Sequence, residues 1–94
     1  MRTTNLRRSF RRDYRREMRG RHRATLEDNL QRVLDLPSTD QTLPLRHRDH
    51  AMTGNWEGYR NCYIRFDLVL LYRKIGNDIL ELARLGSHSE LGLA

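Results

Sequence analysis

Residues 46–60 read RHRDHAMTGNWEGYR, with His47 and His50 three apart among arginines. A His-x-x-His pair can chelate a metal on a helix, but a metal centre takes three or four ligands. Arg46 and Arg48 would repel a cation, and the chain has no second paired-ligand motif. No metal and no cofactor is therefore expected. Phosphate chemistry suits the residues better. His50 is followed by Tyr63, Asp67, Arg84 and His88. Histidine titrates near neutrality and can give or take a proton. Arginine stabilises charge that develops on a phosphate. Histidine, aspartate and arginine together are the inventory of a metal-free ribonuclease. There the ribose 2′-hydroxyl attacks the adjacent phosphate while one group removes a proton and another protonates the leaving 5′-oxygen. By spacing alone, the same residues also fit a solvated basic surface.

These side chains meet only if strands bring them together. Tyr63 and Asp67 share strand parity, as do Arg84 and His88. Tyr59 to Ile64 alternates, with Cys62 and Ile64 on one face and Tyr59, Asn61 and Tyr63 on the other. Leu68 to Ile75 is an apolar and aromatic run suited to a central strand. Gly76-Asn77-Asp78 is a turn leading into Ile79 to Leu85. Three closely spaced strands predict an antiparallel meander. Before them, Thr3 to Arg7 reads as a short edge strand and Ser9 as a helix N-cap. Phe10, Tyr14 and Met18 form an apolar ridge, with Arg11, Arg12, Arg15, Arg16 and Arg19 opposite. Gly20 stops that helix. Thr25 and Asp28 form a capping-box pattern ahead of Leu26, Leu30, Val33 and Leu34, and Pro37 ends the second helix. The expectation is a single α+β domain over residues 1–94. A helical hairpin (about 9–36) packs on a small antiparallel sheet (about 58–88).

Charge is unevenly spread. Of the 18 basic residues 17 are arginine, and ten of these lie in residues 1–23 against only Asp13 and Glu17. Arginine forks grip phosphate bidentately, and a dense basic segment draws in polyanions. Cys62 is the sole cysteine, so no internal disulfide forms. No apolar run reaches membrane-spanning length, and MRTTNLRRSF lacks the apolar stretch of a secretory signal. A cytoplasmic protein without a membrane partner is expected.

The segment LPLRHRDHAMTGNWEGYRNCYIRFDLVLLYRK, followed by LARLGSHSELG, resembles the YafQ branch of the RelE/ParE superfamily of bacterial type II toxins. The matching residues are Arg48-Asp49-His50, Gly54, Trp56, Gly58, Tyr59, Arg60, Asp67, Tyr72, Arg84, Gly86 and His88. The resemblance implies a RelE-like toxin that cleaves mRNA on the ribosome and is neutralised by a cognate antitoxin. It implies catalytic roles for His50, Asp67 and His88, and a scissile-phosphate contact for Arg84. Arg48, Tyr63 and Arg65 would bind RNA, and Arg11, Arg12, Arg15 and Arg16 would dock on ribosomal RNA. Tyr63 stands where the family often has histidine, Leu68 where tryptophan is common and Gly92 where phenylalanine is frequent. These departures leave open a catalytically impaired relative that binds nucleic acid or antitoxin. A ParE-like gyrase inhibitor is a further alternative, disfavoured by the His50 and His88 matches.

Overall fold

The computed structural model describes residues 2–93. Five strands form one mixed sheet in the order β1-β5-β4-β3-β2. They span Thr3–Leu6 (β1), His50–Ala51 (β2), Arg60–Arg65 (β3), Leu68–Ile75 (β4) and Ile79–Gly86 (β5). The three predicted strands make the antiparallel meander β3-β4-β5. β1 then joins β5 in parallel, so the sheet is mixed rather than purely antiparallel.

Helices α1 (Arg8–Glu17) and α2 (Leu26–Ser38) cover one sheet face. Leu68, Leu70 and Tyr72 of β4, with Cys62 and Ile64 of β3, meet Phe10, Leu26, Leu30, Val33 and Leu34 in the main core. Period-two alternation on the strands and the 3,4 spacing on α2 supply those two faces. The opposite sheet face carries a smaller cluster of Tyr59, Val69, Leu71, Ala83 and Leu91. Among the described residues no helix is long and apolar enough to cross a membrane.

Helix α1 does more than cover the core. β1 pairs with β5 only as far as Leu82, leaving the next backbone groups of β5 without a strand partner. Side chains of α1 bind them instead. Ser9 Oγ donates to the Ala83 carbonyl at 2.6 Å, Asp13 Oδ2 accepts from the Leu85 N–H at 3.0 Å, and Arg16 Nη2 donates to the Leu85 carbonyl at 2.8 Å. An exposed sheet edge is an aggregation risk, and α1 closes this one.

That role corrects several sequence expectations. Ser9 is not the N-cap: the helix starts at Arg8 after Arg7, and Ser9 is used on the sheet edge. The buried face of α1 is Phe10, Asp13 and Glu17, while Met18 is exposed, because Asp13 is needed against β5 and Glu17 accepts from Arg16, which also reaches β5. The helix ends at Glu17, before Gly20. Thr25 occupies the N-cap position of α2 but caps nothing with its side chain, whose Oγ1 accepts from Arg65 at 3.0 Å. Pro37 lies inside α2 rather than ending it. Hydroxyls satisfy the last turn, where Thr39 Oγ1 and Ser38 Oγ donate to the Asp35 carbonyl at 2.9 and 3.3 Å. A proline one residue from the helix end therefore costs little.

Candidate active site

The sheet register builds the site. Across the face opposite the helices, His50 pairs with Asn61, Asn61 with Leu71, and Leu71 with Arg84. Directly opposed residues on adjacent strands project to the same face. The next row on that face is Tyr63, Val69 and Gly86. His88 follows Gly86 by two residues, and Asp67 sits in the turn between β3 and β4. Three predicted residues meet here. Tyr63 Oη lies 3.2 Å from His88 Nε2. Asp67 Oδ1 accepts the His88 backbone N–H at 3.3 Å and lies 3.5 Å from its Nδ1. The Arg48 guanidinium stands 5.9 Å above the Tyr63 ring, within cation–π range. Arg21, which the sequence reading did not assign, approaches Asp67 at 3.8 Å.

His50 sits on the edge strand with an exposed side chain. Its Nδ1 lies 2.6 Å from the Arg48 carbonyl. A carbonyl only accepts, so Nδ1 carries the proton and Nε2 of the neutral ring offers a lone pair. The loop holding His50 and Arg48 is anchored from below. Asp49 accepts from Arg60 Nε at 3.1 Å and from Tyr72 Oη at 2.6 Å. Burial, then the bond to Asp49, pushes the Tyr72 hydroxyl pKa well up, so the hydroxyl stays a donor. Asp49, Arg60 and Tyr72 thus position the loop rather than take part in chemistry. Arg48 and Asp67 both adopt the left-handed backbone region, at φ 48° and 52°. For an arginine this conformation costs about 1 kcal/mol or more, and such strain collects at functional sites.

Arg84 is placed differently. Its Nε donates to Asp13 Oδ2 at 2.6 Å and its Nη2 to Asp13 Oδ1 at 3.4 Å, a pairing with a carboxylate that is 0 % exposed. The Arg84 guanidinium is thus held at the edge that α1 closes, apart from the Tyr63–His88–Asp67 cluster. Arg16 is committed to the same edge, bonding Asp13, Glu17 and Leu85, with Glu90 at 3.1 Å. Gly86 lies against it: a Cβ there would sit 2.6 Å from Arg16 Nη2. Arg11, Arg12 and Arg15 are exposed on the outer side of α1, and Arg65 is bound to Thr25.

Asn61 is a site residue that the sequence reading used only to define a strand face. It is buried between His50 and Leu71, and its Oδ1 has no hydrogen-bond partner. The available signal was an amide at the head of the Cys62-Tyr63-Ile64 run in β3. His47, by contrast, serves structure: its Nδ1 donates to the Tyr63 carbonyl at 2.6 Å and ties its loop to β3.

Two helices on one face of a five-stranded mixed sheet, with polar residues gathered at the sheet's end, define a RelE-like α+β protein. A copper-bound toxin variant from Helicobacter pylori has this architecture at TM-score 0.83 and 33% identity, covering 97% of this chain and 99% of that one. The Escherichia coli DinJ–YafQ complex contains it at TM-score 0.78 and 25% identity, covering 97% and 98%. Residues 2–92 match the family described as bacterial toxin of type II toxin-antitoxin system, YafQ, and the chain belongs to that family. The putative toxin YafQ of Haemophilus influenzae is 44% identical over 54 residues, 54% of this chain and 53% of that one. The mRNA interferase toxin YafQ of Escherichia coli K12 is 37% identical over 49 residues, 52% of each chain. The chain thus spans about half the length of the curated relatives it matches. Among the described residues no three histidine, cysteine or acidic side chains converge on a metal-sized space, and the His88–Asp67 pair stands beside the cationic Arg21.

Proposed function

We propose that this chain is an mRNA endoribonuclease, the toxin of a type II pair, acting in the cytoplasm on messages held by the ribosome. The observation that carries the proposal is His88 held between the Asp67 carboxylate and the hydroxyl of Tyr63, a residue one row from His50 on the same sheet face. His50, with Nε2 free, takes the 2′-hydroxyl proton. The 2′-oxygen bonds to phosphorus, the P–O5′ bond breaks, and His88 gives its Nε2 proton to the departing 5′-oxygen. The products are a 2′,3′-cyclic phosphate and a 5′-hydroxyl, with no external oxidant or water consumed. Asp67 faces Nδ1 and pairs with the doubly protonated His88 ring, whose Nε2–H is then the proton given up, and Arg84 and Arg48 offset charge on the phosphate.

The exposed Arg11, Arg12 and Arg15 of α1 suit contact with ribosomal RNA. The Escherichia coli relative is known in complex with DinJ, which supports a cognate antitoxin as the protein partner. A reconstituted translation system with one defined message tests the function. Cleavage is expected when ribosomes are present and absent when they are omitted. An intact message in both reactions would overturn the nuclease, and equal cleavage in both would overturn ribosome dependence.

A further inference from the structure

Beside Tyr63, a cleft of about 560 Å³ opens between α2, the loop before β2 and the end of β3. β2 pairs only with Arg60 and Asn61, so the later part of β3 has no strand on that side, and the cleft lies along this open edge. Arg32, Arg46, Arg48 and Arg65 line it, and none of its lining residues is acidic. Arg32, Arg46 and Arg48 make no ion pair among the described residues, so their charge is uncompensated. At its mouth stands Phe66, 87 % exposed in the tight turn before Asp67. Covering so exposed a ring would bury apolar surface favourably. The other wall is Tyr63, whose hydroxyl meets His88. One residue therefore belongs both to the cleft and to the proton-transfer cluster.

We infer that this cleft binds the nucleotide flanking the scissile bond, with its base stacked on Phe66 and its phosphates held by Arg32 and Arg46. The chemistry favours single-stranded RNA over an acidic protein segment. Flat aromatic faces beside unpaired guanidinium groups match alternating bases and phosphates. The volume suits one nucleotide, since small-molecule sites run from about 300 to 1,000 Å³. The turn is also set rigidly: Asp67 fixes its geometry at φ 52°, and Arg65 is tied to Thr25.

The inference rests on the RNA-cleaving function proposed above, and its test is kept separate from cleavage. A short single-stranded RNA made uncleavable by 2′-deoxy sugars and carrying one 2-aminopurine is titrated with the full chain at low salt. Phe66→Ala is expected to weaken binding about tenfold and to abolish the fluorescence change of the stacked base. The Arg32→Ala, Arg46→Ala pair is expected to weaken binding to every sequence and to reduce the slope of affinity on salt by about 2. Both variants carry surface changes only, and unchanged thermal unfolding confirms that they fold. Parent-like affinity and fluorescence in Phe66→Ala would overturn the inference, even if the parent chain cleaves mRNA. Unchanged RNA binding with weakened antitoxin binding would assign the cleft to the protein partner and overturn it equally. If RNA binding responds as stated but no message is cleaved, the cleft stands and the nuclease fails.

Discussion

At the scale of single residues, the site divides into groups that would move protons and groups that hold them still. His88 touches both Tyr63 and Asp67, so removing its ring is expected to cost more than removing either neighbour. His88→Ala should lower single-turnover cleavage by roughly 100- to 10,000-fold, the range for a lost acid–base group. Tyr63→Phe keeps the ring under Arg48 and loses only the hydroxyl, so a smaller fall is expected in the same assay. Arg48 offers a sharper separation of chemistry from stability. Its φ of 48° suits glycine better than arginine. Arg48→Gly is expected to leave the melting temperature unchanged or higher while cleavage falls, and a parallel loss of both would contradict the placement of Arg48 at the substrate. Much of this was legible in the sequence. Tyr63, Asp67 and His88 meet because strand parity and a short turn dictate it. Asn61 and Arg21 were not assigned, because a buried amide and a loop arginine carry no motif.

At the scale of elements, α1 is the least legible part of the chain. Its arginines suggested a face for docking on RNA, yet Asp13 and Arg16 bond the edge of β5, and Glu17 braces Arg16. Nothing in helical periodicity says that an aspartate will accept a strand N–H. That fact depends on where β1 stops pairing. Asp13 accepts from Leu85 and Arg84 while fully buried. Asp13→Ala leaves a half-buried guanidinium and a strand N–H without partners. A loss of about 3–5 kcal/mol is expected in denaturant unfolding. Retention of parent stability would show that α1 is not what closes the edge. The meander itself was readable, since β4 is apolar on both faces and the Gly76-Asn77-Asp78 turn is explicit. Pro37 is tolerated for a simple reason: one residue from the helix end it removes only its own N–H bond, and the free carbonyl of Asp35 in the same last turn is met by the hydroxyls of Ser38 and Thr39.

At the scale of the whole molecule, stability should fall on both sides of neutrality. The Ser87 backbone N–H, then Arg16, holds the Glu90 carboxyl below its usual range, and Lys74 and Arg2 do the same for Asp40. The unfolded chain therefore binds more protons at these groups. Their contribution is complete above the ordinary carboxylate range and is lost as pH falls through the depressed folded values. Burial raises the Cys62 thiol and the Tyr72 hydroxyl. In alkali the unfolded chain loses these protons first. Stability should then decline once pH passes the ordinary thiol value near about 8.5, by about 1.4 kcal/mol per pH unit for each group titrating. Urea unfolding from pH 3 to pH 11 checks both limbs, and a flat alkaline limb would contradict the burial of Cys62.

The molecule as a whole is a basic body carrying two imidazoles on one sheet face. On the proposed function these imidazoles cut RNA through the 2′-hydroxyl. The most direct measurement is to map the 5′ ends of messages from a translating extract and determine their end chemistry. The parent chain is expected to produce new ends bearing 5′-hydroxyl groups, and the His50→Ala, His88→Ala double variant, folded as judged by thermal unfolding, none. The same ends from both chains, or 5′-phosphate ends from the parent, would contradict it.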